Sequence, residues 1–251
     1  MHIHTVLSPC TEIAEMTPRA IVERASSVGL DAIAICDHNS ARNAGACIRA
    51  ASNTRLLVIP GLEITTSEEV HILGLFEKVE HAEQAQEEIY ARLYGVNDEG
   101  AIGVQAVVNE FDEVEDLDER LLIGASTLDS SRVTTLIHSL GGLAVASHVD
   151  RSGFGIFSQL GFIPSDLDLD ALEVSSRSDF ESVRNKFKQA RDYALISSSD
   201  AHRLEEIGSI FTEALMLDLN FHEICMAIRG ESKRRILGHA RIISVDGRKA
   251  L

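Results

Sequence analysis

The sequence predicts an α/β fold in which helices cover a parallel sheet or barrel. Three observations support this. Short apolar runs alternate with helical patterns, the runs lack the strict alternation of half-exposed strands, and 251 residues, 45% of them hydrophobic, suffice for one barrel-sized domain. Continuous apolar runs are typical of parallel strands buried on both faces, so the pattern indicates repeated strand–helix units.

Six apolar runs are predicted strands. Each is short, rich in Ile, Leu, Val and Ala, and followed by polar or turn-forming residues. They span residues 31–36, 55–60, 70–76, 142–147, 171–174 and 194–198.

Helical patterns with recognisable start signals lie between these strands. Thr17-Pro18 opens a helix that ends at Gly29, with Thr as the cap and Pro in the first turn. Asp129 opens another, which Gly141 and Gly142 close. Residues 179–192 and 220–229 show the same pattern.

Residues 77–128 break the alternation. They begin with an acidic amphipathic helix over 77–94 and continue to an acidic run over 112–120. We expect an inserted helical and acidic lobe within a single barrel domain of residues 1–251. Its charge is better explained by a solvated surface than by a partner-binding one.

The charge of the chain restricts its partners. Thirty-nine acidic residues against twenty-three Lys and Arg give a net charge of −16. Stable binding of duplex DNA or of an anionic membrane is not expected, because phosphate contacts need clustered cations. A phosphorylated small molecule or nucleotide could still enter a local pocket if metal ions supply positive charge.

The sequence also predicts a cytoplasmic location. No apolar run approaches the roughly 20 residues needed to span a bilayer. The start, Met1-His2-Ile3-His4-Thr5, lacks the basic and apolar regions of a signal peptide. The four cysteines form no CxxC pair, so reduced thiols are expected.

Six of the ten histidines fall in short motifs at the predicted strands and their ends. Each motif alone is weak evidence, since a turn after a strand or a hydrogen-bonded core histidine would explain it. Together with one Glu and one Asp, these imidazoles suit Zn, Mn or Fe, and a bridging carboxylate would permit a multinuclear centre. The motifs are His2-Ile3-His4, Asp37-His38-Asn39, Gly61-Leu62-Glu63, His71-Ile72-Leu73-Gly74, Ser147-His148 and Asp200-Ala201-His202.

The order of these motifs resembles the polymerase and histidinol phosphatase (PHP) superfamily. That family shows HxH, DH(N/T), GxE, HxLG, (S/A)H and DxH in this order, and the match runs from His2 to about residue 210. The resemblance implies a distorted (β/α)7, TIM-like barrel with two or three divalent metal ions, and hydrolysis of phosphate esters.

The resemblance also implies a role for each motif residue. Glu63, Asp200, His202 and Asp37 become candidate catalytic residues, with Asp37 orienting an imidazole. His2, His4, Glu63 and Asp200 would hold one metal, Glu63 would bridge to a second metal held by His71 and His148, and His38 and His202 would hold a third.

One departure from the family pattern concerns the third metal. The family usually carries an acidic residue five positions after the second His of HxH, and this chain has Pro9 there. Proline has no donor atom in its side chain, so a third metal is expected to be weakly bound, absent, or partly held by Cys10.

Three arginines are candidates for binding a substrate phosphate, because a guanidinium matches phosphate oxygens in geometry and charge. Arg151 follows His148 by three positions, Arg177 follows a predicted strand, and Arg203 is next to His202. Related members place an Arg shortly after the (S/A)H turn, which favours Arg151.

Three functions remain open from the sequence. The leading one is a metal-dependent phosphoesterase acting on a small phosphomonoester such as histidinol phosphate, a nucleotide phosphate or a short oligonucleotide. A C–N hydrolase on a metal barrel is a second, although the carboxylated Lys of such enzymes is missing from the strand ends. A non-catalytic metal-binding regulatory domain is a third, which Pro9 supports and the otherwise complete set of ligands opposes.

Overall fold

The computed structural model describes residues 1–12 and 15–241, and contains a barrel with surrounding helices and two small hairpins. The strands are β1 (Ala32–Ile35), β2 (Leu57–Thr65), β3 (His71–Leu75), β4 (Ala106–Val108), β5 (Val114–Leu117), β6 (Leu143–Ala146), β7 (Ala171–Val174), β8 (Ala194–Ser197), β9 (Phe211–Leu215) and β10 (Arg235–Ala240). The helices are α1 (Pro18–Ser27), α2 (Ala44–Ala50), α3 (Val79–Tyr90), α4 (Ser130–Ser139), α5 (Ile156–Gln159), α6 (Phe180–Lys186) and α7 (Phe221–Arg229), with 3₁₀ turns at Lys188–Asp192 and Leu204–Glu206.

The main sheet curls into a barrel. Its strands follow the order β1-β2-β3-β6-β7-β8. Ile3 forms parallel bridges to Ile35 at the end of β1 and to Ala201 just beyond β8, so the N-terminal residues close the gap between the two edges. The predicted α/β, TIM-like barrel is confirmed.

The expectation of a wholly parallel sheet is wrong at β3. This strand pairs antiparallel with both β2 and β6, whereas the β1–β2, β6–β7 and β7–β8 pairs are parallel. The physical reason is the connection between β2 and β3, which consists only of residues 66–70. A parallel pairing needs a crossover of about a dozen residues or more, while a short turn suffices for an antiparallel one.

The predicted helices form where their start signals indicate. Pro18 occupies the first turn of α1, and the side chains of Asp129, Asp179 and Asn220 accept hydrogen bonds at the starts of α4, α6 and α7. The pattern over 179–192 divides at Phe187 into α6 and a 3₁₀ turn, because Phe187 adopts an extended backbone.

The segment 77–128 packs on the barrel through helix α3. Helix α3 buries Ala82, Ala85 and Ile89 in the same core group as β2 and β6, and the acidic run contributes β5, which pairs with β4. A single domain over 1–251 with this segment as an insertion stays a prediction, and residues 13–14 and 242–251 of it lie outside the described residues. Within the part of the chain that the structure describes, no helix is long and apolar enough to cross a membrane.

The strands bury one layer of side chains inside the barrel. Ile59, Leu73, Val145 and Ile196 belong to one core group, which α7 covers with Phe221, Ile224 and Ile228. Because side chains alternate across a strand, polar residues an even number of positions further along face the same interior. This alternation places Glu63 of β2, His71 of β3 and Glu173 of β7 in the barrel interior, beyond the apolar layer.

Candidate metal centre

All six motif histidines, Glu63 and Asp200 converge at one end of the barrel. Two of the histidines, His38 and His202, are partly exposed, and the other residues are buried. The carboxyl ends of the parallel strands meet at this end, which is where barrel enzymes carry their sites. Strand β3 runs the opposite way, so its first residue, His71, is the one that reaches this end.

Left-handed backbone conformations turn three of the loops at this end. Asn39, His148 and Asp200 have φ values of 52°, 29° and 49°, and each follows shortly after a parallel strand. Residues other than glycine rarely adopt a positive φ, because their Cβ atom then clashes with the backbone. Such backbone strain persists where the surrounding structure imposes it, often at functional sites. These turns direct His148 and Asp200 back over the mouth of the barrel.

Glu63 is the centre of the cluster. Its Oε1 faces His2, His71 and His148, and its Oε2 faces His4 and His38, so the two oxygens serve different sets of imidazoles. The distances from a carboxylate oxygen to the ring nitrogen are 3.0 Å for His71, 3.1 Å for His38, 3.2 Å for His148, 3.4 Å for His2 and 3.6 Å for His4.

Asp200 completes a tight group with the first motif. Its Oδ1 lies 3.1 Å from His4 Nε2 and 3.3 Å from His2 Nε2, and these two nitrogens lie 3.1 Å from each other. The structure therefore brings together the four residues expected at the first metal. His71 and His148, expected at the second metal, meet on Oε1 of Glu63.

His38 lies between two groups of donors rather than in one. Its Nδ1 faces Glu63 near His71, while its other side approaches His4 and His202, where one ligand atom from each of the three residues lies within 4.8 Å of the others. The sequence grouped His38 with His202, with Cys10 as an alternative further ligand, and the structure adds His4 and Glu63 to its neighbours.

Electrostatics keep the carboxylates ionised. Burial by itself would raise the pKa of Glu63, but His71 and His2 outweigh it and hold that pKa well below its usual range. Burial likewise opposes ionisation of Asp200, and His2 and His4 outweigh it, so the pKa of Asp200 is also lowered well below its usual range. Both carboxylates are therefore anionic at neutral pH.

Burial and the neighbouring charged groups also shift the pKa values of two of the histidines. Burial, followed by the nearby His202, lowers the pKa of His4 well below its usual value. The pKa of His38 is raised to about 10, since Cys10 and Glu63 outweigh the opposing effect of burial. His4 is thus neutral at neutral pH, which is the form that binds a metal.

The residues present fit divalent metal ions. Among the described residues, His38 Nδ1 and His71 Nδ1 are buried without a hydrogen-bond partner, although each lies within 3.1 Å of a Glu63 oxygen. Buried polar atoms normally find partners, so nitrogens left without one beside an anion suggest a missing cation. Imidazole and carboxylate donors in this proportion suit Zn, Mn or Fe.

Hydrogen bonds on the far side of the rings fix the tautomer of His4. Ser8 Oγ donates to Asp37 Oδ1 at 2.7 Å and accepts from His4 Nδ1 at 3.0 Å. The proton of His4 is therefore on Nδ1, and the lone pair of Nε2 faces the centre. Asp37 is fixed by Thr5, whose backbone N–H and hydroxyl both donate to it, so it reaches the imidazole through Ser8 and not directly.

Glu173 orients His2 in the same way, and the sequence reading missed it. Both of its oxygens lie 3.2 Å from His2 Nδ1, and its side chain is fully buried on β7. A charged residue within the apolar run 171–174 was the available signal. His202 Nδ1 donates to the backbone oxygen of Asp200 at 2.9 Å, so the lone pair of its other ring nitrogen, Nε2, is available for a metal.

The three candidate arginines have different positions. Arg151 reaches the centre, where its Nη1 donates to Asp200 Oδ2 at 2.6 Å. Arg203 pairs with Glu12. Arg177 is exposed, and within residues 1–12 and 15–241 no hydrogen bond or ion pair links its guanidinium to the cluster.

Phe154 and Cys10 border the mouth of the barrel. The ring of Phe154 stacks on His71 with centroids 4.3 Å apart, and its backbone oxygen accepts from His71 N at 2.9 Å. Cys10 Sγ lies 3.4 Å from His38 Nε2. Burial would raise the pKa of the Cys10 thiol, but hydrogen bonds with His202 and His38 outweigh it and lower that pKa to about 7.

Comparison with known proteins places this geometry in context. The sequence-family model of the PHP domain matches residues 1–152. The family model described as PHP-associated matches residues 185–232. The uncharacterized protein YqxK of Bacillus subtilis is 29% identical over 108 residues, which cover 41% of this chain and 28% of that protein.

Several solved structures share the fold. The lesion-specific endonuclease Q of Pyrococcus furiosus superposes with a TM-score of 0.72 at 18% identity, covering 97% of this chain and 58% of that one. A protein of Bifidobacterium adolescentis assigned as a metal-dependent phosphoesterase gives a TM-score of 0.56 at 20% identity, covering 80% and 86%.

The chain therefore spans little more than a quarter of YqxK and under two thirds of endonuclease Q. The PHP domain model, in contrast, covers more than half of this chain, residues 1–152 of 251. Together with the barrel and the ordered motifs, this match shows that the chain belongs to the PHP domain family.

Proposed function

We propose that this protein hydrolyses phosphate esters with the help of two or three divalent metal ions held at the mouth of the barrel. The observation that carries the proposal is the buried Glu63 carboxylate, whose two oxygens face different groups of imidazoles. Membership of the PHP family and the fold shared with a protein assigned as a metal-dependent phosphoesterase support it.

The two proposed ions would share Glu63. His2, His4, Glu63 and Asp200 would hold one ion, and Glu63, His71 and His148 a second. Bound divalent ions would supply Lewis acidity and lower the pKa of a water molecule toward about 7. No protein nucleophile is then needed.

The protein's own side chains prepare this centre. Glu173 and Ser8 hold the Nδ1 protons of His2 and His4, so that the two Nε2 lone pairs converge. Arg151 is positioned to bind a phosphate oxygen next to Asp200, because its guanidinium has five donors and uses one of them there. Phe154 covers His71 and keeps water from that side of the ring.

The proposed substrate is a small phosphomonoester, a nucleotide phosphate or a short oligonucleotide in the cytoplasm. The net charge of −16 disfavours long duplex DNA. Endonuclease Q has been crystallised with a 27-mer duplex that carries an abasic lesion at the active site, so a lesion-bearing duplex is a second candidate.

A release assay tests the proposed activity. Purified protein loaded with Zn²⁺, Mn²⁺ or Fe²⁺ is offered phosphomonoesters, nucleotides, short oligonucleotides, an abasic duplex and a panel of amides. We expect metal-dependent release of phosphate or nucleotide from at least one phosphate ester. Hydrolysis of amides alone would favour the C–N hydrolase, and metal binding without any turnover would favour a regulatory domain.

Glu63→Ala should abolish turnover and remove both tightly bound metals, since one carboxylate serves both positions. The loss should exceed the roughly 10–100-fold expected for changes outside the ligands. Metal content by atomic emission and the initial rate are measured on the same sample. Glu213→Ala, at an exposed position of β9, is the matched control. Parental metal content and rate in Glu63→Ala would contradict the bridging role.

Glu173→Gln should weaken metal binding without removing a ligand. The amide offers no negative charge to the His2 N–H, so we expect roughly 10–100-fold lower affinity for metal at the His2 position. A competition titration with a chelating dye measures this, and Glu213→Gln controls for the charge change. Unchanged affinity would show that Glu173 has no orienting role.

Arg151→Ala should lower kcat/KM by roughly 10–100-fold, the value of one or two charged hydrogen bonds to a phosphate. Arg151→Lys should recover part of the loss, because it keeps the charge but not the planar fork. Arg132→Ala, at an exposed position of α4, is the control. If Arg151→Ala loses metal and activity in parallel, Arg151 serves Asp200 and not the substrate.

A further inference from the structure

We propose that Cys10 is a thiolate ligand of a third metal position, together with His38 and His202, and that this position prefers a borderline ion such as Zn²⁺, Fe²⁺ or Co²⁺ to Mg²⁺ or Mn²⁺. The inference rests on the proposed metal centre and deepens it. The sequence alone left this position weakly bound, absent or partly held by Cys10, and the structure favours the last of these.

The geometry brings the thiol and two imidazoles together. Cys10 Sγ lies 3.4 Å from His38 Nε2 and also contacts His202. His4, His38 and His202 each place a ligand atom within 4.8 Å of the other two. Since His202 Nδ1 is engaged with the backbone oxygen of Asp200, the lone pair of its Nε2 is available.

The chemistry of these donors differs from that of the other two positions. Glu63 and Asp200 supply carboxylate oxygens to the first position, whereas the Cys10 side supplies sulfur and nitrogen. Thiolate and imidazole favour zinc and other soft or borderline ions over Mg²⁺ and Mn²⁺. Three protein ligands with a fourth place left open are also the pattern of catalytic zinc sites.

The loop that carries Cys10 is fixed by its own hydrogen bonds. Thr11 Oγ1 donates to the backbone oxygens of Thr5 and Ser8, and Ser8 N donates to the oxygen of Thr5. Pro9, which precedes Cys10, has a φ angle fixed by its ring. These hydrogen bonds therefore fix the position of Cys10 beside the two histidines. The residue as a whole is exposed to solvent.

The other cysteines do not share this environment. Cys36 and Cys47 are buried in the core, and Cys225 is partly buried on α7 beside the apolar group that covers the barrel. Among the residues that the structure describes, Cys10 is the cysteine for which a hydrogen bond to an imidazole is found.

Cobalt substitution tests this ligand directly. Metal-free protein comprising residues 1–251 is titrated with Co²⁺ under anaerobic, reducing conditions, and near-ultraviolet absorption is recorded. We expect two tightly bound ions, then a third, weaker one whose binding brings a sulfur-to-cobalt charge-transfer band. The band should be lost in Cys10→Ser and kept in the matched control Cys225→Ser.

Alkylation gives a second measurement that does not depend on the spectrum. Iodoacetamide should modify Cys10 in the metal-free protein, and Zn²⁺ beyond two equivalents should slow this reaction at least tenfold, as measured by mass spectrometry of the Cys10 peptide. Circular dichroism of Cys10→Ser confirms that it is folded.

The outcomes separate this inference from the proposed function. Two bound ions with phosphoesterase activity, but no charge-transfer band and no protection of Cys10, would overturn the thiolate ligand and leave the function standing. No metal binding at all would overturn both. A band that persists in Cys10→Ser would also overturn the inference.

Discussion

The buried carboxylate of Glu63 is the constraint on which the site depends. Placing an anion in a protein interior is costly unless it is paired and hydrogen-bonded. Here five imidazoles surround it, and three of them, His38, His71 and His148, have a ring nitrogen that lacks a hydrogen-bond partner within the described residues. In a protein without metal, this many buried imidazoles cannot all be protonated, as the lowered pKa of His4 indicates. Divalent ions between Glu63 and the rings would satisfy both the anion and the nitrogens.

The barrel delivers these groups from distant parts of the chain by a simple rule. Parallel strands bring polar residues at their carboxyl ends to one mouth, and the reversed strand β3 brings its first residue, His71, to the same place. The sequence could locate the strands and the motifs, because apolar runs and histidines are local signals. It could have revealed the reversal too, since the nine residues between the predicted strands 55–60 and 70–76 are fewer than a crossover needs.

Other features could not be predicted because they depend on contacts between distant residues. Glu173 meets His2 across 171 positions, and Ser8 links Asp37 to His4 only when the first loop folds over β1. The left-handed turns at His148 and Asp200 are imposed by the surrounding structure and oppose local preference. The ion pair of Arg151 with Asp200 is another such contact, since the sequence favoured Arg151 over Arg177 through the family resemblance alone.

Anomalous scattering from a crystal grown with Zn²⁺ and measured above the zinc edge tests the central claim most directly. The account predicts two strong peaks on either side of Glu63, about 3.5–4 Å apart as in two-metal hydrolases. One should contact His2, His4 and Asp200, and the other His71 and His148. Zinc bound elsewhere on the protein, with no peak within bonding distance of Glu63, would contradict it.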